Sequence, residues 1–370
     1  MRIVITGADG FIGKNLRFRL TELGHRDVVL VTETTSLSSL RDILKGVEFV
    51  FHLAGVNRPK DPTEYAAGNT GFTRTLCATL DAIGSRAPIV FTSSIQADLD
   101  NDYGLSKRAA EIVLQHYSSV TGVPVHIFRL TNVFGKWAAP NYNSAVATFC
   151  HNISRGLEIK INDPTALLRL VHIDDVLDAF GCLLNTPELQ GGFADAGPVY
   201  ETTVGKVVSI LRAFAESRNS LLIAPVGSGL VRALYSTYIS YLPPESFVYQ
   251  VPRHGDQRGV FVEMLKTPDC GQFSYFTAHP GITRGEHYHH CKTEKFLVIK
   301  GTAQFGFRHI VTGEYHELTV KGGEARIVET APGWTHNITN IGEDELFVML
   351  WANETFDPAK PDTVVMKVSP

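Results

Sequence analysis

Two textures meet near residue 243, and together they confine the chain to two architectures joined end to end. Before that point, short apolar runs (3–6, 28–32, 49–53, 89–92 and 125–130) alternate with helical patterns over 11–23, 69–83 and 104–121. This β-α-β rhythm predicts an α/β fold, a doubly wound parallel sheet with helices on both faces. A late amphipathic helix is predicted over 202–216, where Thr203 caps a stripe of Val204, Val207, Val208, Leu211 and Phe214. After Pro243 and Pro244 the helical period stops. Short β-branched and aromatic runs (260–265, 273–277, 296–300, 303–307, 317–320 and 346–351) follow, punctuated by Gly and Pro. That is the pattern of an antiparallel, all-β sandwich or barrel. The expected organisation is therefore a first domain over 1–243, a linker over 244–252 and a second domain over 253–370.

A chain of 370 residues is long enough for these two domains. Its 34 basic and 38 acidic residues give a formal charge of -4, so there is no basic field to gather nucleic acid or anionic lipid. No apolar run approaches the roughly 20 residues that span a bilayer. The start, MRIVITGADGFIG, lacks the continuous apolar stretch of a signal peptide. The five cysteines (Cys77, Cys150, Cys182, Cys270 and Cys291) are scattered and odd in number. Reduced thiols and a cytoplasmic location are expected, with neither nucleic acid nor membrane as a partner.

Residues 6–13, TGADGFIG, follow a strand run and open a helical one. Gly7, Gly10 and Gly13 there permit a tight turn, close approach of main chain to a pyrophosphate, and close helix–strand packing, as in a Rossmann-type fold. A glycine triplet without that context would be an ordinary turn. Tyr103 and Lys107, in YGLSK, lie one helical turn apart on one face. A free phenol has a pKa of about 10. The neighbouring ammonium is expected to lower it and so make Tyr103 an acid–base group. Ser94, just past the 89–92 run, is placed to hydrogen-bond a substrate oxygen. A Tyr-x-x-x-Lys pair alone is common on helix surfaces; its combination with the glycine turn and the serine carries the reading.

A second constellation lies in GITRGEHYHHCKTEKFLVIKG, residues 281–301. His287 and His289, two apart, share one face of a strand. Glu294 follows after room for a turn, and His336 sits in PGWTHNITN on a later strand. Three imidazoles and a carboxylate suit Zn, Fe, Mn, Ni or Cu, and such a set leaves a position open for water or substrate. His254, His309 and His316 read as surface or core residues. His290 faces the other way on a regular strand. Cys291 shares the parity of His287 and His289, and is either a soft ligand or part of the turn before Glu294.

The first half resembles the extended short-chain dehydrogenase/reductase family. TGADGFIG, HLAG (52–55), Asn69 in NTGFTRTL, TSS (92–94), YGLSK, RLTNVFG (129–135) and RLVHIDDV (169–176) occur in that family's order. The resemblance implies a nicotinamide cofactor and a nucleotide-sugar substrate. By position it makes Ser94 (with Ser93 as fallback), Tyr103 and Lys107 the catalytic set. Gly7, Gly10, Phe11, Ile12, Gly13, Leu53, Ala54 and Lys107 would hold the cofactor. Asn132 and Arg169 would line the substrate pocket, and His172 would be structural. NAD-preferring members place an acid at the end of the second strand. Thr32 occupies that position here and Glu33 follows, so the residues themselves choose neither NAD nor NADP.

The second half resembles the cupin family. Gly281, five residues, His287, one, His289, four, Glu294, six and Gly301 match its first motif. Gly333, two residues, His336, three and Asn340 fit the second, with Pro332 displaced by one position. His287, His289, Glu294 and His336 are thereby implied as ligands of a divalent metal, with Zn the expected ion. GDQRGVFVE (255–263) and ITRGEHYH (282–289) also look like signature stretches of nucleotide-sugar 3,5-epimerases, which implies a nucleotide contact at Arg258. The catalytic His of those metal-free epimerases falls on His287. A metal ligand does not double as a free base, so Lys295, His279 and Tyr288 are the candidate bases, and Lys295 also a candidate substrate contact.

The order of the halves looks like the CapF-type bifunctional enzymes of capsule and O-antigen synthesis. NRP (57–59), SSIQA (93–97), FGKW (134–137), PNYNS (140–144), ATFC (147–150), YSTYISYLP (235–243) and FDPAKPDT (356–363) resemble that family's internal stretches. The resemblance implies NADPH and a UDP-linked 4-keto-6-deoxy-N-acetylhexosamine, UDP-2-acetamido-2,6-dideoxy-4-hexulose. The cupin would invert C3 and the first domain would reduce C4. The product would be a UDP-6-deoxy-talosamine sugar on the way to UDP-N-acetyl-L-fucosamine. Cupins pair through sheet edges, so a homodimer is expected. Two rival readings are a reductase whose cupin is a metal-stabilised dimerisation module, and a dinucleotide sensor without turnover. A sensor needs only the glycine turn, and the presence of Ser94, Tyr103 and Lys107 argues against it.

Overall fold

The computed structural model describes residues 1–186, 190–256, 259–262, 265, 271–354 and 359–369, without the side chains of 253–256, 259–262, 272 and 274. The chain forms two compact units, residues 1–144 with 168–201 and residues 145–167 with 202–370.

The first unit is built on a six-stranded parallel sheet in the order Asp27–Val31, Arg2–Thr6, Phe49–His52, Ile89–Ser94, Val125–Leu130 and Gly192–Ala194. Phe49–His52 and Ile89–Ser94 are buried along their whole length. That is why these stretches read as continuous apolar runs rather than alternating ones. Separate apolar clusters cover the two faces, one around Val50, Leu76 and Leu114, the other around Phe51, Leu16 and Phe180. The strand order reverses between Arg2–Thr6 and Phe49–His52, and a doubly wound sheet opens its ligand crevice at such a switch point. The helix Asp102–Thr121 starts where the Asn101 side chain accepts the Gly104 N–H at 2.8 Å, and stops at Gly122, whose φ of 73° favours glycine.

The second unit holds two antiparallel five-stranded sheets. One runs Val248–Gln250, Arg326–Glu329, Glu294–Lys300, Leu346–Ala352 and Gln272–Ala278; the other runs Tyr315–Lys321, Thr302–His309, Trp334–Asn340, Thr283–Tyr288 and Val364–Val365. Their inner faces meet at Phe296, whose ring centroid lies 5.7 Å from that of Phe305 and 6.4 Å from that of His336. The same unit contains the helices Ala145–Ile153, Val204–Ser220 and Gly229–Ser240, the second capped by Thr203 as the sequence predicts.

Compactness thus divides the chain differently from the boundary near residue 243, because charged and aromatic side chains join these helices to the strands. Tyr235 packs edge-on against Phe214 with centroids 5.0 Å apart, and its hydroxyl donates to Glu329 at 3.4 Å. Arg218 pairs with Glu329 at 3.2 Å and stacks over Tyr249 with its guanidinium carbon 4.4 Å from the ring centre. In the helix Gly229–Ser240 residues 233–239 are all buried. Among the described residues no helix is long and apolar enough to cross a membrane.

Candidate functional site

In the first unit the glycine turn forms as the motif requires. Gly7 has a φ of 67°, and a Cβ there would lie 2.6 Å from the Ala54 nitrogen. Gly7 is therefore pressed against Leu53 and Ala54 at the switch point. A Cβ on Gly13 would fall 2.8 Å from the Ala8 Cα, so only glycine allows this helix–strand approach. At Gly10, the cap of the helix Phe11–Glu22, a Cβ would meet only the Gly7 carbonyl oxygen within 4 Å, leaving the rest of its surroundings open. No side chain caps this helix. Phe11 and Ile12 begin it, and their side chains pack on the core. An uncapped helix N-terminus beside an open glycine surface fits a pyrophosphate, so the residues present fit a dinucleotide.

Beside this turn, the Ser94 hydroxyl accepts the Gln96 N–H at 3.2 Å and lies near enough to the Tyr103 phenol to favour its ionised form. Ser93 is committed elsewhere: its hydroxyl donates to Glu111 at 2.5 Å, and Glu111 also accepts from Arg129. Lys107 is buried, and its Nζ donates to the Thr92 carbonyl at 2.9 Å. Burial lowers the Lys107 pKa to about 8, against the opposing charge of Glu111. The expected lowering of the Tyr103 pKa is not found. Burial raises it, Ser94 opposes the rise, and Tyr65 adds to it. The reason is geometric: the Lys107 ammonium is turned to the Thr92 carbonyl and stands 6.0 Å from the centre of the Tyr103 ring. Tyr65, which the sequence reading did not single out, has its ring 5.8 Å from that of Tyr103. Asn132 and Arg169 come together on paired strands, with Asn132 Nδ2 donating to the Arg169 carbonyl at 3.2 Å. Arg258 lies outside the described residues.

The second unit gathers His287, His289, Glu294 and His336, with one ligand atom of each within 4.8 Å of all the others. His287 ends the strand Thr283–Tyr288, Glu294 begins Glu294–Lys300 in the facing sheet, and His336 lies on Trp334–Asn340. Ring centroids are 4.8 Å apart for His287 and His336, and 4.9 Å for His287 and His289. Glu294 Oε2 stands 3.4 Å from Nε2 of both His289 and His336, while Oε1 pairs with Lys292 at 3.1 Å. Burial pushes the Glu294 carboxyl upward, but His289 and His336 outweigh it and hold the group well below the usual range. Burial, with the charges of His336 and His289, lowers the His287 pKa to about 4. His336 is buried, and neither of its ring nitrogens makes a hydrogen bond. A buried imidazole whose one acceptor nitrogen meets only a carboxylate is what a cation would satisfy, so the donor set fits a divalent metal.

The three residues proposed as bases from the sequence do not join this cluster. Lys295 points to the opposite face of its strand, as alternation dictates. There it is locked to Glu329 and donates to the Tyr249 hydroxyl at 3.0 Å. Tyr288 alternates away from His287 and packs on His290 at 5.5 Å, and His279 is exposed. Cys291 is buried in the turn before Glu294.

The NAD dependent epimerase/dehydratase family matches residues 3–194, and the polysaccharide biosynthesis C-terminal domain matches residues 254–364. The UDP-2-acetamido-2,6-beta-L-arabino-hexul-4-ose reductase of Pseudomonas aeruginosa is 56% identical over 373 residues, covering 100% of this chain and 99% of the relative. The capsular polysaccharide assembling protein CapF of Staphylococcus aureus has a crystal structure that aligns over 100% of both chains, with a TM-score of 0.68 and 39% identity. The chain belongs to the CapF-type family. Outside that family, the UDP-glucose 4-epimerase of Thermus thermophilus shares the fold of the first part. Its TM-score is 0.52 at 20% identity, over 58% of this chain and 83% of that one. In this CapF-type chain both matched families carry one of the two clusters described above.

Proposed function

We propose that the chain is a bifunctional nucleotide-sugar enzyme whose second unit inverts C3 of a UDP-2-acetamido-2,6-dideoxy-4-hexulose and whose first unit reduces the C4 ketone with NADPH. The observation that carries this reading is the coexistence, in a CapF-type chain, of a Ser94–Tyr103 pair beside a dinucleotide turn and a separate four-residue metal donor set. When bound, the nicotinamide would supply hydride to C4, and the metal would supply positive charge for the oxyanion that develops when C3 loses its proton. Tyr103 then delivers its proton to the C4 oxygen, and Ser94 holds that oxygen in line. Lys107, from the Thr92 carbonyl, sets the positive potential of this corner. A ketone acidifies its neighbouring C3–H, so epimerisation needs the ketone intact and reduction locks the result. Support for NADPH comes from Thr32, which directly follows the second strand with a hydroxyl 2.9 Å from that of Thr34 rather than with a carboxylate. Homodimerisation is proposed along the edge strand Gln272–Ala278, which exposes Phe273 and Tyr275.

The printed name of the Pseudomonas relative specifies a reduction alone. That favours a second reading, a reductase whose metal-bearing cupin is a dimerisation module. A proton NMR time course of the UDP-4-keto sugar in deuterated water, with NADPH left out, separates the two. The expected result is loss of the C3 proton signal. Retention of that signal, with reduction still occurring once NADPH is added, would leave only the reductase.

A further inference from the structure

One ligand of the cluster is held from outside by the end of the chain. Val364 and Val365 pair antiparallel with Tyr288 and His287, so the C-terminal segment lies along the strand that carries the first ligands. Met366 N donates to the Glu286 carbonyl at 2.9 Å, and Val368 N to the Glu286 carboxylate at 2.7 Å. Thr335, next to His336, donates to the Met366 carbonyl at 2.5 Å. The segment is thus tied to both strands that bear histidine ligands.

Asp362 stands at the start of this strap and does two things. Its main-chain carbonyl is hydrogen-bonded to Nδ1 of His289. Its carboxylate accepts three successive main-chain N–H groups, from His290 at 2.8 Å, Cys291 at 2.6 Å and Lys292 at 2.6 Å. These are the residues of the turn that spaces His289 from Glu294. A carbonyl oxygen only accepts, so the first bond assigns the proton to Nδ1. The Nε2 of the neutral ring then presents its lone pair toward the cluster, where it stands 3.4 Å from Glu294. Two facing acceptors repel unless a cation lies between them.

We propose that Asp362 is a positioning residue for the metal: its carboxylate, by gripping the turn 290–292, fixes the spacing of His289 from Glu294 and holds its own main-chain carbonyl against His289, which sets the tautomer and aim of that ring. The proposal rests on the metal reading of the cluster. His336 has no such outer partner on its own Nδ1. Outer hydrogen bonds of this kind are worth about 10–100-fold in metal affinity.

The test uses the full chain, stripped of metal and titrated with Zn²⁺ against a chromophoric chelator, and the absorption spectrum of the Co²⁺-loaded protein. Asp362→Ala is expected to weaken Zn²⁺ binding by about 10–100-fold and to shift the Co²⁺ bands, with the far-ultraviolet circular dichroism unchanged. Asp362→Asn keeps one acceptor oxygen and is expected to fall between the two proteins. If Asp362→Ala does not fold, Asp362→Asn decides. Affinity within about threefold of the parent in the folded variant, with an unaltered Co²⁺ spectrum, would overturn the proposal, since loss of a bond that orients a metal ligand costs about 10-fold or more. A parent chain that binds no Zn²⁺ would instead overturn the metal reading itself, and this inference with it.

Discussion

The Tyr103 corner and the histidine cluster solve the same problem, keeping polar groups inside a protein, in opposite ways. Around Tyr103 the protein supplies partners from its own chain: Glu111 for Ser93, the Thr92 carbonyl for Lys107, and Val56 with Ser106 for Asn69. In the histidine cluster His336 is buried, neither ring nitrogen has a partner in hydrogen-bond geometry, and its Nε2 stands 3.4 Å from Glu294. Leaving a buried polar group unsatisfied costs on the order of 1–3 kcal/mol. The first arrangement is complete before any visitor arrives, which suits a cofactor that must come and go. The second is incomplete by itself, which suits an ion that stays.

The largest effect expected is chemical. Tyr103→Phe should lower NADPH oxidation by the 4-keto sugar about 10²–10⁴-fold, while NADPH still binds, as followed by its fluorescence. Deuterium exchange at C3 should persist in this variant. Loss of exchange along with reduction would show that the two clusters are not independent and would break the comparison.

The next effect separates two buried acids on neighbouring strands. Glu329 is buried with Lys295, Arg218 and Tyr235 around it and has no part in the metal set. Glu329→Gln leaves Lys295 without its buried counter-charge and should cost about 3–5 kcal/mol in urea unfolding. Glu294→Gln should do the reverse, lowering metal content while leaving the metal-free protein nearly as stable as before. If both variants lost metal equally, the distinction between a structural and a ligating acid would fail.

The smallest effect is a pH limb. Burial holds the Lys107 pKa near 8, so the positive charge beside Tyr103 is present below that pH and disappears above it. The rate of C4 reduction should therefore bend downward above about pH 8, where that pKa lies. Lys107→Arg keeps its charge and should move the bend to higher pH. A profile flat through pH 9 in the parent chain would show that the charge is not used.

Much of this was legible in the sequence, and the gaps have physical reasons. TGADGFIG, YGLSK and the spacing of His287, His289 and Glu294 are local patterns, and backbone geometry turns each into a fixed arrangement. Position in the motif put Ser94 ahead of Ser93, and the structure adds the physical reason, which is that Glu111 claims Ser93. Lys295 misled because it adjoins a ligand in sequence, while strand alternation sends it to the other face. Asp362 was legible only as part of FDPAKPDT, since its partners lie 70 or more residues earlier in the chain.

The interleaved units also set an order of assembly during synthesis. The first unit is complete once residue 201 has left the ribosome. The helix Ala145–Ile153 emerges before that point, yet it belongs to a unit whose other helices begin at Val204 and whose Glu329 arrives more than a hundred residues later. The first unit is thus finished early, while the segment inserted into it waits for the strands. Growing chains stalled just past residue 201 should hold a dinucleotide turn in working shape, with the helix Ala145–Ile153 as their unclaimed apolar surface.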